Sequence, residues 1–443
     1  MTSQWKKSLY TYVLYDHKKV ILYNTNTKTM AYSYKIDDIN TLLSGKDCGD
    51  NELKIKMFDH GFLVPIEVDE TSEAMLKYYE QIFDRSLSLT LMPTEQCNFR
   101  CQYCYELFEK GRMNDNIVQG IYKYLQRSIS SYSRLKISWF GGEPLLAMDV
   151  IENLSNKIIE LCQKTHTPFS SEMTTNGYLL TAETVKKLIK CRVLNYQITL
   201  DGAKNIHDKY RVLASGAPTY DIILNNLCEI RDTIKSSMIS IIIRVNVTKE
   251  SMRNLDLFID TMEKEFGNDK RFRLFLHPVD NWGGKKINEI SNSLFDESIS
   301  IYECILKRER ITPFVSEIYE DLITKGLCYA VKRNNYIIGS DGAIYKCTVN
   351  FNNDINRVGH VQPNGTFELD YRKLAAWVLP THGLSDCSKC AFMQYCTDGQ
   401  CPVNKIKNEL DSEFVWNCEY KRMTIEPIIK MLYTAGYKEN IKF

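Results

Sequence analysis

Cys97, Cys101 and Cys104 fall within eight positions in EQCNFRCQYCYE, residues 95–106, with the aromatic Tyr103 just before the last of them. Three thiols are too many for one disulfide and one short of a closed four-ligand metal site. A C-x3-C-x2-C run on one short loop suits a cubane iron–sulfur cluster, whose irons are normally each held by a cysteine thiolate. With three thiolates, one iron is left open to an outside ligand. Zinc fits less well, because a structural zinc site closes with four ligands and the nearest histidines, His60 and His166, are remote in sequence.

A second group of seven cysteines lies between residues 328 and 418. Cys328 and Cys347 come first, then Cys387-x2-Cys390-x5-Cys396, then Cys401 after TDGQ, and finally Cys418. The five others (Cys48, Cys162, Cys191, Cys228, Cys304) are isolated and read as small buried hydrophobes. The N-terminal stretch MTSQWKKSLYTYVLYDHKKV lacks the apolar centre of a signal peptide, so a cytoplasmic location is expected. In a reducing compartment, dense cysteine points to metal or redox chemistry more than to disulfides.

These side chains need a scaffold, and 443 residues suggest two or three domains. Residues 1–82 form a first unit. YTYVLYD and KKVILYN read as strands, NTNTK as a turn, and KIDDINTLL and NELKIKMFDHGFLV as helices, the second closing at Gly61. That order suits a winged-helix-like α+β module. From residue 83 to 282, strand candidates at 86–92, 135–140, 168–175, 195–200, 239–247 and 272–279 alternate with amphipathic helical stretches. Six such units imply a parallel sheet with outer helices, flat or curled into a partial (β/α)6 TIM-like barrel. Chemistry in such folds gathers at the carboxyl ends of strands, and Cys97 lies just past the first. Residues 283–327 read as a charged helical linker, residues 328–425 as a loop-rich segment that folds around metal, and residues 426–443 as a closing helix. With 56 basic and 55 acidic residues, a generally basic nucleic-acid footprint is missing. No apolar run approaches the roughly 20 residues of a membrane helix.

The chain resembles the radical S-adenosylmethionine (SAM) enzymes at five points in order. These are CNFRCQYC after the first strand, WFGGEPLL at 139–146, TTNGYLL at 174–180, ITLDG at 198–202 and IHDKYR at 206–211. The resemblance implies that Cys97, Cys101 and Cys104 bind a [4Fe–4S] cluster whose open iron is chelated by the amino and carboxylate groups of SAM. Gly141, Gly142 and Glu143 would bind the methionine amino group, the glycines allowing close backbone approach. Asn176 and Thr199 would hydrogen-bond ribose or carboxylate, Arg211 would pair with the SAM carboxylate, and Tyr103 would pack near the adenine. Asp201, His207 and His277 are weighed as catalytic bases and read instead as satisfied or surface residues.

The second cysteine group resembles the SPASM domain, a C-terminal extension of some radical SAM enzymes with two auxiliary [4Fe–4S] clusters. By that pattern Cys387, Cys390, Cys396 and Cys418 hold one cluster, and Cys328, Cys347 and Cys401 the other. TDGQ is one residue longer than the usual spacer, and no cysteine just before Cys328 supplies a fourth ligand. SPASM enzymes mostly act on peptides and proteins, and residues 1–82 resemble leader-recognition modules of peptide maturases in element order. The expectation is a maturase that forms a C–S or C–C cross-link in a precursor peptide carrying a leader, reduced by a flavodoxin- or ferredoxin-type donor. Alternatives are sulfatase-maturating-type protein oxidation, a SPASM enzyme acting on a small metabolite, and a non-enzymatic electron carrier. The carrier needs neither the GGE motif nor an open iron.

Overall fold

The computed structural model describes residues 4–279, 281, 287–288, 290, 294, 299–308, 311–316, 327–379, 390–395, 401–403, 419–436 and 440–443. The chain divides into two compact units. One comprises Met1–Ile82, Tyr302–Cys328 and Pro380–Phe443; the other comprises Phe83–Ile301 and Tyr329–Leu379.

In the first unit, strands β1 (Trp5–Lys7), β2 (Thr11–Asp16), β3 (Lys19–Asn24), β4 (Thr29–Ser33) and β5 (Leu63–Pro65) accompany helices α1 (Ile36–Leu43), α2 (Asn51–Asp59) and α3 (Glu70–Ile82). β2, β3 and β4 form an antiparallel meander, and β1 pairs with β5. α2 starts at Asp50, whose side chain accepts from Leu53 N, satisfying one of the helix's unpaired N–H groups. It stops at Asp59 because Gly61 turns left-handed at φ +75°, a conformation glycine adopts without a Cβ penalty. Past that turn the chain is extended and enters β5 at Leu63. Val20, Leu22, Ala31, Ile39, Leu42, Leu53, Met57 and Phe62 make the core.

The second unit is built on six parallel strands, β6 (Ser86–Leu91), β7 (Arg134–Trp139), β8 (Phe169–Thr175), β9 (Val193–Thr199), β10 (Ser240–Val247) and β11 (Phe272–Pro278). They pair in sequence order, β6 through β11, and β11 does not close on β6. This is the expected partial barrel. Helices α4 (Asp115–Ser128), α5 (Met148–Lys164), α6 (Ala182–Lys190), α7 (Lys204–Tyr210), α8 (Tyr220–Thr233) and α9 (Leu255–Phe266) connect the strands. Thr181 caps α6 by accepting from Thr184 N.

The strands alternate in burial. Leu87, Leu89 and Leu91 of β6 and Leu135, Ile137 and Trp139 of β7 are buried. Ser88, Thr90, Lys136 and Ser138 between them line a cavity. Parallel strands covered on both faces are normally continuous apolar runs; here one face covers the helical layer and the other is polar. Each of these fully buried leucines contributes about 1.5–3 kcal/mol.

Residues beyond 328 depart from the expected separate, loop-rich segment. β12 (Asn335–Ile338) joins β6 in parallel, and β13 (Ala343–Tyr345), β14 (Arg357–Val361) and β15 (Phe367–Leu369) follow antiparallel, giving one ten-stranded sheet. The physical reason is the open edge of β6, whose N–H and C=O groups need partners. The β-branched and aromatic run NYII supplies them. Of the expected linker 283–327, Ile299–Leu306 is helical, and the closing helix runs Glu419–Thr434. Cys387, Cys396 and Cys418 lie outside the described residues. No described helix is long and apolar enough to cross a membrane.

Candidate active site

The cysteine loop follows β6 and is stapled to the segment after α7. Arg100 N donates to Val212 O at 2.9 Å, Gln102 N to Tyr210 O at 3.0 Å and Ala214 N to Asn98 O at 2.7 Å. Arg100 Nη1 adds bonds to the carbonyls of Cys97 and Phe99 at 2.7 and 2.6 Å. Cys97, Cys101 and Cys104 are half-buried and line one cavity of about 570 Å³. Burial pushes the Cys97 thiol up to about 12, with Cys101 adding to the rise. Cys101 and Cys104 are raised too, mainly by burial. Such thiols stay protonated until a metal pays for the thiolate. Among the described residues no three His, Cys, Asp or Glu side chains are grouped to hold a single metal ion; ligands of a cubane cluster bind separate irons instead.

Opposite the thiols stands the turn after β7. A Cβ on Gly141, which sits at φ +113°, would lie 2.4 Å from Thr94 O, and one on Gly142 would lie 2.3 Å from Gln96 O. Only glycine lets the two loops touch. Both glycines line the cavity, and Glu143 does not. Glu143 is fully buried. Its carboxylate accepts from Leu145 N at 3.1 Å, Thr175 Oγ1 at 2.8 Å and Asn176 N at 2.8 Å. Burial raises its pKa while those three donors pull it down. These bonds join the GG turn to the end of β8. Asn176, held there, lines the cavity and donates from Nδ2 to Asn98 Oδ1 at 2.8 Å, with Cys97 Sγ at 3.8 Å.

A buried polar cluster forms the third wall. The Tyr103 hydroxyl donates to Asp201 Oδ2 and accepts from Arg211 Nη1 at 2.7 Å and Asn246 Nδ2 at 3.2 Å. Asp201 Oδ1 accepts from Asn246 N at 2.7 Å. The Tyr103 ring packs on Ile206, Tyr210 and Val279. Burial works against the Arg211 cation, but Cys101, Tyr103 and Asp201 outweigh it and hold it protonated. Arg211 Nε is buried with no hydrogen-bond partner beside the cavity. His207 lies behind this wall. Its Nδ1 accepts from Asp201 N at 3.0 Å, and Nε2 faces Thr219 Oγ1 at 3.0 Å. Thr219 Oγ1 in turn donates to Arg211 O at 2.6 Å, so the Nε2–H must donate to Thr219. Burial, then Arg211, depresses its pKa to about 2. It is a neutral structural residue, and neither it nor Asp201 lines the cavity.

The structure thus brings Cys97, Cys101, Cys104, Tyr103, Gly141, Gly142, Asn176, Thr199 and Arg211 around one cavity. The sequence reading missed the polar floor, where Lys136 and Glu172 pair at 2.7 Å and Ser138 donates to Glu172 at 2.6 Å, with Gln197 and Arg244 beside them. Their signal was present as every second residue of the strands. Glu106 was also missed. It faces the cavity, its Oε1 has no partner, and burial followed by Glu95 raises its pKa to about 8.

The loop after Cys347 reaches the same cavity through Thr348 and Val349. Cys347 is buried and clamped by Asn356. Asn356 Oδ1 accepts from Lys346 N and Cys347 N at 3.0 and 2.8 Å, and its Nδ2 donates to Cys347 O at 2.8 Å. Cys328, Cys390 and Cys401 belong to the first unit and Cys347 to the second.

Residues 91–259 match the Radical SAM superfamily model. A cysteine-type anaerobic sulfatase-maturating enzyme of Clostridium novyi is 24% identical over 354 residues, 73% of this chain and 90% of that protein. An Fe-coproporphyrin III synthase of Methanosarcina barkeri is 27% identical over 219 residues, 49% of this chain and 50% of that protein. Among solved structures, native anSMEcpe with bound AdoMet and Cp18Cys peptide shares the fold at a TM-score of 0.57 and 18% identity, covering 79% of this chain and 97% of that one.

These residues fit a cluster and SAM. Three thiols edge one cavity, two glycines leave a cradle that a Cβ would fill, and a guanidinium nitrogen beside it is unpartnered.

Proposed function

We propose that this radical SAM enzyme is a peptide maturase that takes hydrogen from a residue of a ribosomally made precursor and forms a C–S or C–C cross-link. The observation that carries the reading is the joint lining of one cavity by the three-cysteine loop, the GG turn, Arg211 and the loop after Cys347. Cys97, Cys101 and Cys104 would hold a [4Fe–4S] cluster and leave one iron for SAM. When bound and reduced, that cofactor pair supplies methionine and a 5′-deoxyadenosyl radical.

The chain's own residues do the rest. Gly141 and Gly142 let the backbone reach the ligand's amino group, and Arg211 presents its free Nε–H to a carboxylate. Tyr103, locked by Asp201 and Asn246, fixes that guanidinium. The polar floor of Lys136, Glu172, Gln197 and Arg244 supplies hydrogen-bond partners for a peptide main chain and excludes bulk water.

Stoichiometry asks for an electron acceptor. Joining a C–H carbon to a thiol sulfur removes two hydrogens from the peptide. One leaves as an atom and ends in 5′-deoxyadenosine; the other leaves as a proton and an electron, which needs an acceptor. Cys328, Cys347 and Cys401, and Cys387, Cys390, Cys396 and Cys418, are proposed as ligands of two auxiliary clusters in that role. Residues 1–82 are proposed to recognise the leader, and a flavodoxin or ferredoxin to supply the reducing electron.

Sulfatase-type protein oxidation is the second reading, favoured by the Clostridium novyi relative. The test is anaerobic turnover with SAM and dithionite. Release of 5′-deoxyadenosine that disappears in a Cys101→Ala variant supports the reading, and none from an iron-loaded wild type overturns it. With a candidate precursor, a product two mass units lighter with no free thiol marks a C–S cross-link. A product about 18 mass units lighter, in which a cysteine side chain has lost two hydrogens and exchanged its sulfur for the oxygen of water to leave a reactive aldehyde, marks the sulfatase-type alternative.

A further inference from the structure

The barrel strands present two layers of side chains to the cavity. Successive residues on a strand face opposite ways, so residues two apart share a face. Thr90, Ser138, Thr174, Thr199 and Asn246 form the layer nearer the carboxyl ends of the strands. Ser88, Lys136, Glu172, Gln197 and Arg244, each two residues earlier, form the layer beneath.

The layers differ in charge. The upper one is neutral and meets the residues assigned to SAM, since Asn246 Nδ2 donates to the Tyr103 hydroxyl at 3.2 Å. The lower one carries Lys136, Glu172 and Arg244. Glu172 is committed: it accepts from Ser138 at 2.6 Å, and its other oxygen pairs with Lys136 at 2.7 Å. Two cations against one anion leave the layer with a positive excess at Arg244. The other acidic groups nearby do not cancel it. Asp201 is engaged by Tyr103 and by the Asn246 N–H, and Arg211 comes before Arg244 among the groups that favour its ionised form. Glu106 lies on the cysteine loop and not on the floor.

Local contacts orient the Arg244 head group. Its Nε donates to Asn246 Oδ1 at 2.8 Å, and the guanidinium lies over the Phe275 ring, 5.5 Å from its centroid. Such contacts set the plane of a fork whose N–H groups match a carboxylate. Asn335, beside Ser88 on β12, lines the same cavity, and its Oδ1 is buried without a hydrogen-bond partner. A peptide N–H would satisfy it.

We propose that Arg244 determines specificity, the lower layer receiving from the peptide substrate a residue with a carboxylate side chain, Asp or Glu. That the carboxylate belongs to a peptide rests on the function proposed above; the selection of an anion by Arg244 does not. The carboxylate of SAM itself is left to Arg211, which lies over the Phe99 ring of the cysteine loop.

The test titrates reconstituted full-length protein, with SAM bound, against acetyl-Gly-Asp-Gly-amide and its Asn and Lys versions in a calorimeter. Wild type is expected to bind the Asp peptide about tenfold or more tightly than its uncharged Asn isostere, the size of one charge-assisted pair. Arg244→Gln should lose that preference, and Arg244→Lys, which keeps the charge without the fork, should keep part of it. Arg244→Glu should turn the preference toward the Lys peptide, a reversal that a merely structural role would not produce. The wild-type comparison needs no variant and decides the matter if the substitutions prevent folding. Equal binding of the Asp and Asn peptides by wild type, or binding of neither, would overturn the proposal. So would an Asp preference that survives in a folded Arg244→Gln chain. Acetyl-Gly-Gly-Gly with a free terminal carboxylate separates a side chain from a chain end, and its tighter binding would overturn the side-chain assignment. SAM cleavage is assayed in parallel. Acid-selective binding without 5′-deoxyadenosine would sink the maturase reading and leave this one standing, and 5′-deoxyadenosine without acid preference would do the reverse.

Discussion

The Glu143 carboxylate holds the backbone N–H of Asn176 at 2.8 Å, tying the turn after β7 to the end of β8 across 33 residues of sequence. Because Glu143 is fully buried, removing it strands Thr175 Oγ1 and Asn176 N without acceptors. Glu143→Ala should cost about 3–5 kcal/mol of stability. Glu143→Gln, which keeps one accepting oxygen, should cost less and retain part of the SAM affinity. Calorimetric melting and SAM titration would check both, and an unchanged melting temperature in Glu143→Ala would refute the tie.

Gly142→Ala brings a methyl against the Gln96 carbonyl, next to Cys97. Backbone must shift, so cluster loading should fall along with SAM binding. A variant with full iron content and wild-type SAM affinity would show that the two loops separate freely.

Iron content separates the clusters. Roughly twelve irons per chain should fall to about eight in the Cys97/Cys101/Cys104→Ala variant if three four-iron clusters are present. Asn356→Ala removes the clamp on Cys347, leaves buried N–H groups unpaired, and should lower iron by about four without touching the first site. Four irons in the wild type, with zinc in the C-terminal cysteines, would remove the proposed electron path.

Acid should destabilise the fold through its buried histidines. The folded pKa of His207 is depressed to about 2, below the unfolded value near 6.5. Its contribution is therefore complete above about pH 6.5 and is lost as pH falls toward 2, at up to about 1.4 kcal/mol per unit. His277, held to about 4 by burial, acts in the same direction down to its own lower limit. Anaerobic urea midpoints at pH 7.5, 6.5 and 5.5 should show this slope, reduced by about one proton in His207→Gln. An identical slope in the variant would mean another group controls it.

Deleting residues 1–82, the proposed leader-recognition unit, also removes hydrogen bonds to segments far along the chain. Gln81 Nε2 donates to Gln394 O at 2.6 Å, its Oε1 accepts from Leu327 N at 3.1 Å, and Thr25 Oγ1 donates to Ala391 O at 2.5 Å. The deletion should lower the melting temperature and the iron held near Cys390, measured on the shortened chain. Normal values for both would show that residues 390–395 fold without this support.

The cysteine loop and the order of strand and helix were legible in the sequence. Ligand spacing is a local property, and the 2- and 3.6-residue periods repeat within a dozen residues. Four of the five short motifs sit at strand ends, because a parallel sheet puts its connecting loops there, and IHDKYR follows on α7, so their order alone placed the four at one rim. Tertiary structure decided the role of each side chain. Glu143 and Gly142 are neighbours in the chain, yet one is consumed by β8 and the other faces the cavity. His207 could have been a base until its two ring nitrogens found Asp201 N and Thr219. The extension of the barrel sheet by residues 335–369, and the strand that residues 441–442 lend to β4, were invisible for one reason: an exposed edge accepts any extended segment that reaches it. Which segment arrives depends on packing between residues hundreds of positions apart, and no local pattern records that.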